Sequence, residues 1–557
     1  MNTKKPTHQP SRLRQPPEQL VWVTHTVFYE GSPIQYVRVE FKTDSGGVGE
    51  LIVERADLHS PRKMARELRN RGCVLPSSKE AVESLIAKLA QMKPRKVLRI
   101  LHKIGWHGRR FVLPDATIPA GGKEELAFKA LDSARVGNFG TAGTLEGWKN
   151  GVAVPAACSS RCMFGIALAF AAPLLPFSGV EGGGVHIEGE SSRGKTTTLL
   201  VATSVNGDAV RSRLINWDIT AAGLSEVAAA HNHSLLCIDE VSQASESDAK
   251  LAKKVRGTAF TLSSGRGRIR SKAYNQSVGS IDLEWSLLFL STGEKAIADV
   301  ATEGAMKRLK GEEVRFIDLP ALADPVLGVF ERLPDGVSDP AKFAESIEAA
   351  CREHHGVALR AFVAKLAANY GKIEQAVRSR MDKFMVMADV PDHGWERRFA
   401  KRFALAFAAA DMAIRVDILP WSKEQAFEAI NICYKAARMR VPDADSILAD
   451  GLARLKERLG RKDGLLFYKS ASPPLSAEAA AADGFMRKTV EDGPHYLIKR
   501  DRFQAWFASG LQSELVLRHL DENGVLFKDG DHSRTRQVSL TGIAQRGRYY
   551  FLKTKLG

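Results

Sequence analysis

Cysteine is scarce in this chain, six in 557 residues, too few for a disulfide-stapled secreted fold, so a reducing cytoplasm is the expected compartment. No apolar run reaches the ~20 residues that a membrane-spanning helix needs. The most apolar stretch, Phe164–Phe177, is shorter and is interrupted by Pro173 and Pro176, so a buried helix ending at Ala172 is expected and no membrane partner. Residues 1–20 are basic, Pro-rich and polar without the apolar core of a signal peptide, and read as a disordered basic arm. Zinc spacing is missing: neither Cys158 with Cys162 nor His354 with His355 has a second pair beside it. No Ser/His/Asp or Cys/His arrangement stands out, and no internal repeat. Negative charge is in deficit, 64 Asp+Glu against 80 Lys+Arg for a formal net charge of +16. Such a balance favours a polyanionic partner such as nucleic acid.

What is present is ordinary globular composition, 44% hydrophobic and 26% charged, which excludes a disordered or collagen-like chain. The length suits three or four domains at ~100–200 residues each. Alternating apolar residues over Val21–Tyr29, Tyr36–Lys42 and Gly47–Glu54 predict strands, and Lys63–Arg71 and Glu80–Gln91 predict helices. The segment from Val97 to Asp115 predicts a helix leading to a hairpin around Gly105–Arg110. Residues 21–142 thus form an expected N-terminal α+β domain. Residues 143–338, a helical connector followed by apolar strands alternating with helical patterns, form an α/β core with a parallel sheet. A basic, Ala-rich helical domain (339–459), a linker (460–484) and a tail (485–557) complete the layout. In the tail two helices precede Val525–Lys528 and Arg536–Leu540, which suggests a winged helix. There Arg534, Arg536, Arg546 and Arg548 suit phosphates, with protein docking equally open.

The most specific signal is Gly189-Glu190-Ser191-Ser192-Arg193-Gly194-Lys195-Thr196, followed by Thr197, a full match to G-x-x-x-x-G-K-[ST]. Its glycines let the backbone curl so that successive N–H groups point at a β-phosphate beside a helix N-terminus. Lys195 would bridge the β- and γ-phosphates and the Thr196 hydroxyl would ligate Mg²⁺. The preceding Val185–Glu188 reads as a strand and Thr196–Ser204 as the following helix. About forty residues on, Leu235–Ile238 ends in Asp239-Glu240. Asp239 suits the Mg²⁺ water shell and Glu240 suits polarising the attacking water, and this acidic pair favours an ATPase over a kinase-like transferase.

A third strand, Ser286–Leu290, ends in Ser291 and Thr292. Lying between the other two, it would place a hydroxyl, Thr292 in preference to Ser291, as a sensor of the γ-phosphate; a plain capped strand end is the alternative. Before it, Arg266, Arg268, Arg270 and Lys272 alternate as on a basic hairpin. These residues would grip DNA phosphates, or serve as solvated loop charges, or reach a neighbouring subunit's nucleotide. Arg308 and Arg315 bracket Gly311 at the approach to the apolar strand Val314–Leu319, where ring ATPases carry an arginine that contacts the next subunit's γ-phosphate. For Arg315 a structural ion pair is equally open. Arg398 and Arg402, four apart on an amphipathic helix, offer a second sensor.

Together these segments resemble the domain of unknown function 927 family of mobile-element and phage proteins. The likeness is carried by Gly105-Trp106-His107, Gly143–Lys149, Ala169–Leu175, Gly189–Thr197, the Leu235–Glu240 strand, Leu290–Glu294, Glu313–Pro320 and Gly547–Leu552. That family looks similar to AAA+ helicases of the MCM type. The resemblance implies an AAA+ core with a helical lid and a winged-helix tail, assembled as a hexameric ring. It implies ATP and Mg²⁺ as cofactors and translocation on single-stranded or forked DNA, with a primase or loader as a further partner. Residues 1–100 carry no primase or zinc-binding motif, so intrinsic primase activity is not expected. Two other readings use the same residues: a DNA-packaging or remodelling motor, and a nucleotide-switched regulatory or defence protein.

Overall fold

A computed structural model describes residues 20–130, 139–241, 247–267, 283–305, 308–392, 394–441, 444–461, 464–489, 493–507, 510–527, 534–541 and 547–554. The chain divides into two compact units, Met1–Ala437 and Arg438–Gly557.

The first unit opens on β1 (Val21–Tyr29), β2 (Gln35–Lys42) and β3 (Val48–Glu54), paired antiparallel. Their alternation puts Val21, Val37, Val39, Phe41, Leu51 and Val53 on one face, where Met64, Leu68, Ile86 and Leu89 of two helices cover them. Those helices are Pro61–Arg69 and Lys79–Gln91. β4 (Lys96–Leu101) pairs parallel to β1, and β8 (Glu124–Phe128) parallel to β4. A helix was the expectation for the residues of β4. They form a strand because alternate residues Leu98 and Ile100 are buried beside Val27, a pattern of period two rather than 3.6. Between β4 and β8, β5 (Gly105–His107), β6 (Arg110–Val112) and β7 (Thr117–Ile118) make a small antiparallel sheet. Trp106 anchors it, donating from Nε1 to the Pro173 carbonyl at 2.8 Å and packing edge-on against Phe177 and Tyr370.

Among the described residues one helical stretch, Ser160–Phe177, is long and apolar enough to cross a membrane, and 89% of it is buried inside the protein. It is a core element: Phe164 stacks on Phe403 of the helix Gly394–Arg415. From there the chain enters a five-stranded sheet of β9 (Gly183–Glu188), β10 (Ile215–Asn216), β11 (Leu235–Asp239), β12 (Leu288–Gly293) and β13 (Phe316–Pro320). All neighbours are parallel, in the order β10-β11-β12-β9-β13. Being buried on both faces, its strands read as near-continuous apolar runs.

The second unit holds β14 (Leu465–Tyr468), β15 (Gly484–Thr489), β16 (Gly493–Lys499), β17 (Leu526–Phe527), β18 (Arg536–Val538) and β19 (Gly547–Lys553) in one mixed sheet. Phe503, Trp506, Val516 and Leu520 cover one face of it together with Leu455. The helix Ala444–Gly460 therefore lies with this unit, and the expected linker supplies β14 and the helix Ser476–Ala481. The two segments expected to pair as a wing do not pair with each other; β17 and β18 each lie antiparallel against β19. Arg534 is tied to Glu514 and Asp521, and Arg536 lies over the rings of Phe527 and Phe551. Arg548 is exposed, and Arg546 lies outside the described residues.

Candidate functional site

A parallel sheet collects the C-terminal ends of its strands on one edge, and loops there are the usual place for ligands. On that edge β9 runs into the turn Gly189–Gly194 and the helix Lys195–Asn206. The turn needs backbone that ordinary residues avoid: φ is +150° at Gly189, +60° at Ser192 and +88° at Gly194. A Cβ at Gly194 would come within 2.5 Å of Val329 Cγ2. Val329 belongs to a strap, residues 321–329, that ties down the turn. Ala321 N–H donates to Glu188 O at 2.7 Å, Val329 N–H to Arg193 O at 3.0 Å, and Arg193 Nη1 to Pro325 O at 3.2 Å. Arg193 also pairs with Glu190 at 3.0 Å.

Lys195 folds back into the turn, its Nζ donating to the carbonyls of Gly189 at 2.6 Å and Glu190 at 2.7 Å. Burial pushes its amine below the usual lysine range, and Glu240, Glu294, Asp239 and Glu188 pull the other way. Thr196 is half-buried at the first helical turn. The Thr197 hydroxyl faces elsewhere, donating to Glu348 Oε1 at 2.7 Å, where Arg211 also pairs at 2.7 Å. What Thr197 offers a phosphate is its backbone N–H.

The strand order puts β12 between β9 and β11, and its Thr292 joins the acidic strand to the centre. Thr292 Oγ1 donates to Asp239 Oδ1 at 2.5 Å and accepts the Glu240 N–H at 3.2 Å. The Glu240 N–H also reaches Asp239 Oδ1 at 3.1 Å, and Glu240 has φ of +48°, rare for a side-chain-bearing residue. Such backbone persists where surrounding contacts over-determine it. Ser291 points to the other face, to His186 Nδ1 at 2.7 Å, so the geometry favours Thr292 of the two hydroxyls. Sequence reasoning missed Glu294, whose carboxylate accepts from the Ser191 hydroxyl. The signal was visible as an acid directly after the third strand.

The candidate arginines separate. Arg402 is buried at the opposite edge of the sheet. Its Nη1 donates to Val314 O, and its Nη2 to Gly182 O at 2.9 Å and Glu181 O at 3.4 Å. β9 at about 3.3 Å per residue puts that edge roughly 20 Å from the turn. Arg308 is paired with the buried Asp318 at 2.5 Å and donates to Phe316 O. Within this chain both guanidiniums are therefore engaged by backbone carbonyls, and Arg308 by a carboxylate as well. On the helix Gly394–Arg415, the four-residue spacing of Arg398 and Arg402 does not tell the exposed arginine from the buried one. Arg315 sits at the far edge, immediately before β13, loosely paired to exposed Glu181 at 3.4 Å. Arg398 is exposed. Of the basic hairpin, Arg266 is exposed and bridges Glu284 antiparallel. Trp285 N–H donates to Gly265 O at 2.8 Å and Gly267 N–H to Leu283 O at 3.1 Å, so 265–267 and 283–285 lie side by side. Arg268, Arg270 and Lys272 lie outside the described residues.

The arrangement, four carboxylates around one lysine and a curled backbone, suits a polyanion only together with a hard cation that takes oxygen ligands. Asp239 and the Thr196 hydroxyl supply such oxygens. Among the described residues no group of three or more His, Cys, Asp or Glu could hold a metal ion.

The protein is a mixed α/β fold with parallel strands, similar along nearly its whole length to a solved helicase. That structure, described as "SCCmec type IV Cch - active helicase", superposes with a TM-score of 0.65 at 15% identity, over 96% of this chain and 92% of the other. Residues 20–278 match the family model described as Domain of unknown function (DUF927), the family whose resemblance the motifs carried. The match takes in the N-terminal sheet, which had suggested no family, and ends before β12. No curated protein matches the chain.

Proposed function

We propose that this protein is an ATP-dependent DNA helicase or translocase of the MCM-like AAA+ kind, acting in replication of a mobile element or phage. The observation that carries the reading is the meeting of Lys195, Asp239, Glu240 and Thr292 at one sheet edge, with Thr292 bonded to both acids. In this reading the Gly189–Thr197 backbone and Lys195 bind the phosphates of ATP. Mg²⁺, held by Thr196 and Asp239, neutralises phosphate charge when bound. Glu240 accepts a proton from the attacking water and Thr292 keeps both acids in register. The helical domain serves as lid, the second unit as the winged-helix-like tail, and Arg266, Arg268, Arg270 and Lys272 contact DNA. A primase or loader is a further partner. The six cysteines, all free and buried, fit a cytoplasmic setting.

Arg315 lies too far from the turn of its own chain to touch the same nucleotide, so its service is to a neighbouring copy in a ring. Beside it, Val255, Ala259 and Phe260 of one helix and Val300 of another line a shallow, mostly apolar groove. Phe260 is 66% exposed there. A second copy of this chain is the occupant. Phe260→Glu is expected to shift the protein from ring to smaller species in light scattering, with nucleotide affinity kept within about threefold. A ring that persists unchanged contradicts this interface.

The test of function is hydrolysis and strand displacement on forked DNA. A helicase shows DNA-stimulated hydrolysis and releases a strand. Stimulated hydrolysis without displacement identifies a packaging or remodelling motor, and ATP binding with little turnover identifies a switch.

A further inference from the structure

The segment Ser291–Lys295 touches both halves of the site. Thr292 holds Asp239, Gly293 O accepts the Gly189 N–H at 3.2 Å, and Glu294 accepts from Ser191. From beneath, one side chain holds both ends of this segment. His186, in the middle of β9 and fully buried, has Nδ1 2.7 Å from Ser291 Oγ and Nε2 3.0 Å from Lys295 O. A carbonyl can only accept, so Nε2 carries the hydrogen and Nδ1 accepts from the Ser291 hydroxyl. One neutral tautomer satisfies both contacts. Burial pushes the imidazole below its ordinary value, which favours that neutral form. The ring is wedged edge-on against Phe316 at 5.7 Å and under Gly293, where a Cβ would come within 2.9 Å of Cε1.

We propose that His186 is a positioning residue for ATP hydrolysis: it clamps Ser291–Lys295 so that Thr292, and through it Asp239 and Glu240, stays in register with the phosphate loop. This rests on the ATPase reading. The bonds holding the segment from above run to Gly189 and Ser191 of the phosphate loop itself. The β12 ladder against β9 holds Ser291–Gly293, and the His186 clamp adds a side-chain tie that reaches past the strand end to Lys295 O; small misplacements of catalytic groups are costly.

The test is ATP turnover and equilibrium binding of a fluorescent ATP analogue for wild type, His186→Phe, His186→Gln and Ser291→Ala. Phe keeps a flat ring and removes both hydrogen bonds, whereas Gln keeps a donor and an acceptor. His186→Phe is expected to lower kcat about 10- to 100-fold with analogue affinity within about threefold, and His186→Gln to recover part of the loss. Ser291→Ala, which removes one anchor from an intact fold, should lower kcat in the same direction by less. It keeps the test available if His186→Phe does not fold. Unchanged kcat in Ser291→Ala, or a loss in His186→Phe that appears equally in analogue binding, overturns the clamp while leaving the ATPase reading standing. Absence of turnover in the wild type overturns the ATPase reading first, and the clamp with it.

Discussion

Glu240→Gln is expected to keep ATP bound and to lower its turnover by about 10²- to 10⁴-fold, the usual contribution of a positioned general base. The substitution changes charge and not shape. Glu240 projects from backbone held at φ +48°, with its N–H fixed by Thr292 Oγ1 and Asp239 Oδ1, so the amide should occupy the carboxylate's place. One fewer negative charge near Lys195 leaves the site at least as receptive to a triphosphate. Steady-state hydrolysis and binding of a fluorescent ATP analogue, measured on the same preparation, check both halves. Undiminished turnover would remove Glu240 from the chemistry.

The second large effect is on stability. Arg402→Met is expected to destabilise the first unit by about 3–5 kcal/mol, because it leaves the buried Val314 carbonyl and two part-buried ones without this donor. Val314, Gly182 and Glu181 all give their carbonyl oxygens to this one guanidinium. Burial lowers its pKa to about 10, still cationic at neutral pH. For a unit of this size the thermal midpoint should fall by roughly 3–5 °C. Analogue affinity per folded molecule should remain unchanged below the transition. A second-sensor role would give the reverse: an intact midpoint with turnover lost.

These two residues show what the sequence could and could not carry. The place of Glu240 was legible because an apolar run ending in two acids marks the end of a buried strand, as β11 is, and because Gly189–Thr196 marked the other strand end of the same edge. The order of the strands gave Thr292 its place once β12 was recognised as lying between the others. Arg402 was not legible as structural. Its spacing from Arg398 marks a helix face, but burial against Val314 and Gly182 depends on contacts across 88 and 220 positions. The same limit explains β4, whose Leu98 and Ile100 reveal a period of two only when β1 supplies the neighbouring strand. It also explains the tail, where β17 and β18 have wing-like spacing yet both take β19 as partner. In sequence His186 reads only as part of a strand, since nothing local links it to Ser291, 105 positions away.

The most direct measurement is the rate of ATP hydrolysis by the purified protein, with and without single-stranded DNA, beside Lys195→Ala. Lys195 is the cation that the turn folds around, and its removal should cost about 100-fold or more in hydrolysis. Hydrolysis that DNA stimulates in the wild type and that Lys195→Ala loses is the predicted result. Hydrolysis at the wild-type rate in Lys195→Ala would contradict the account.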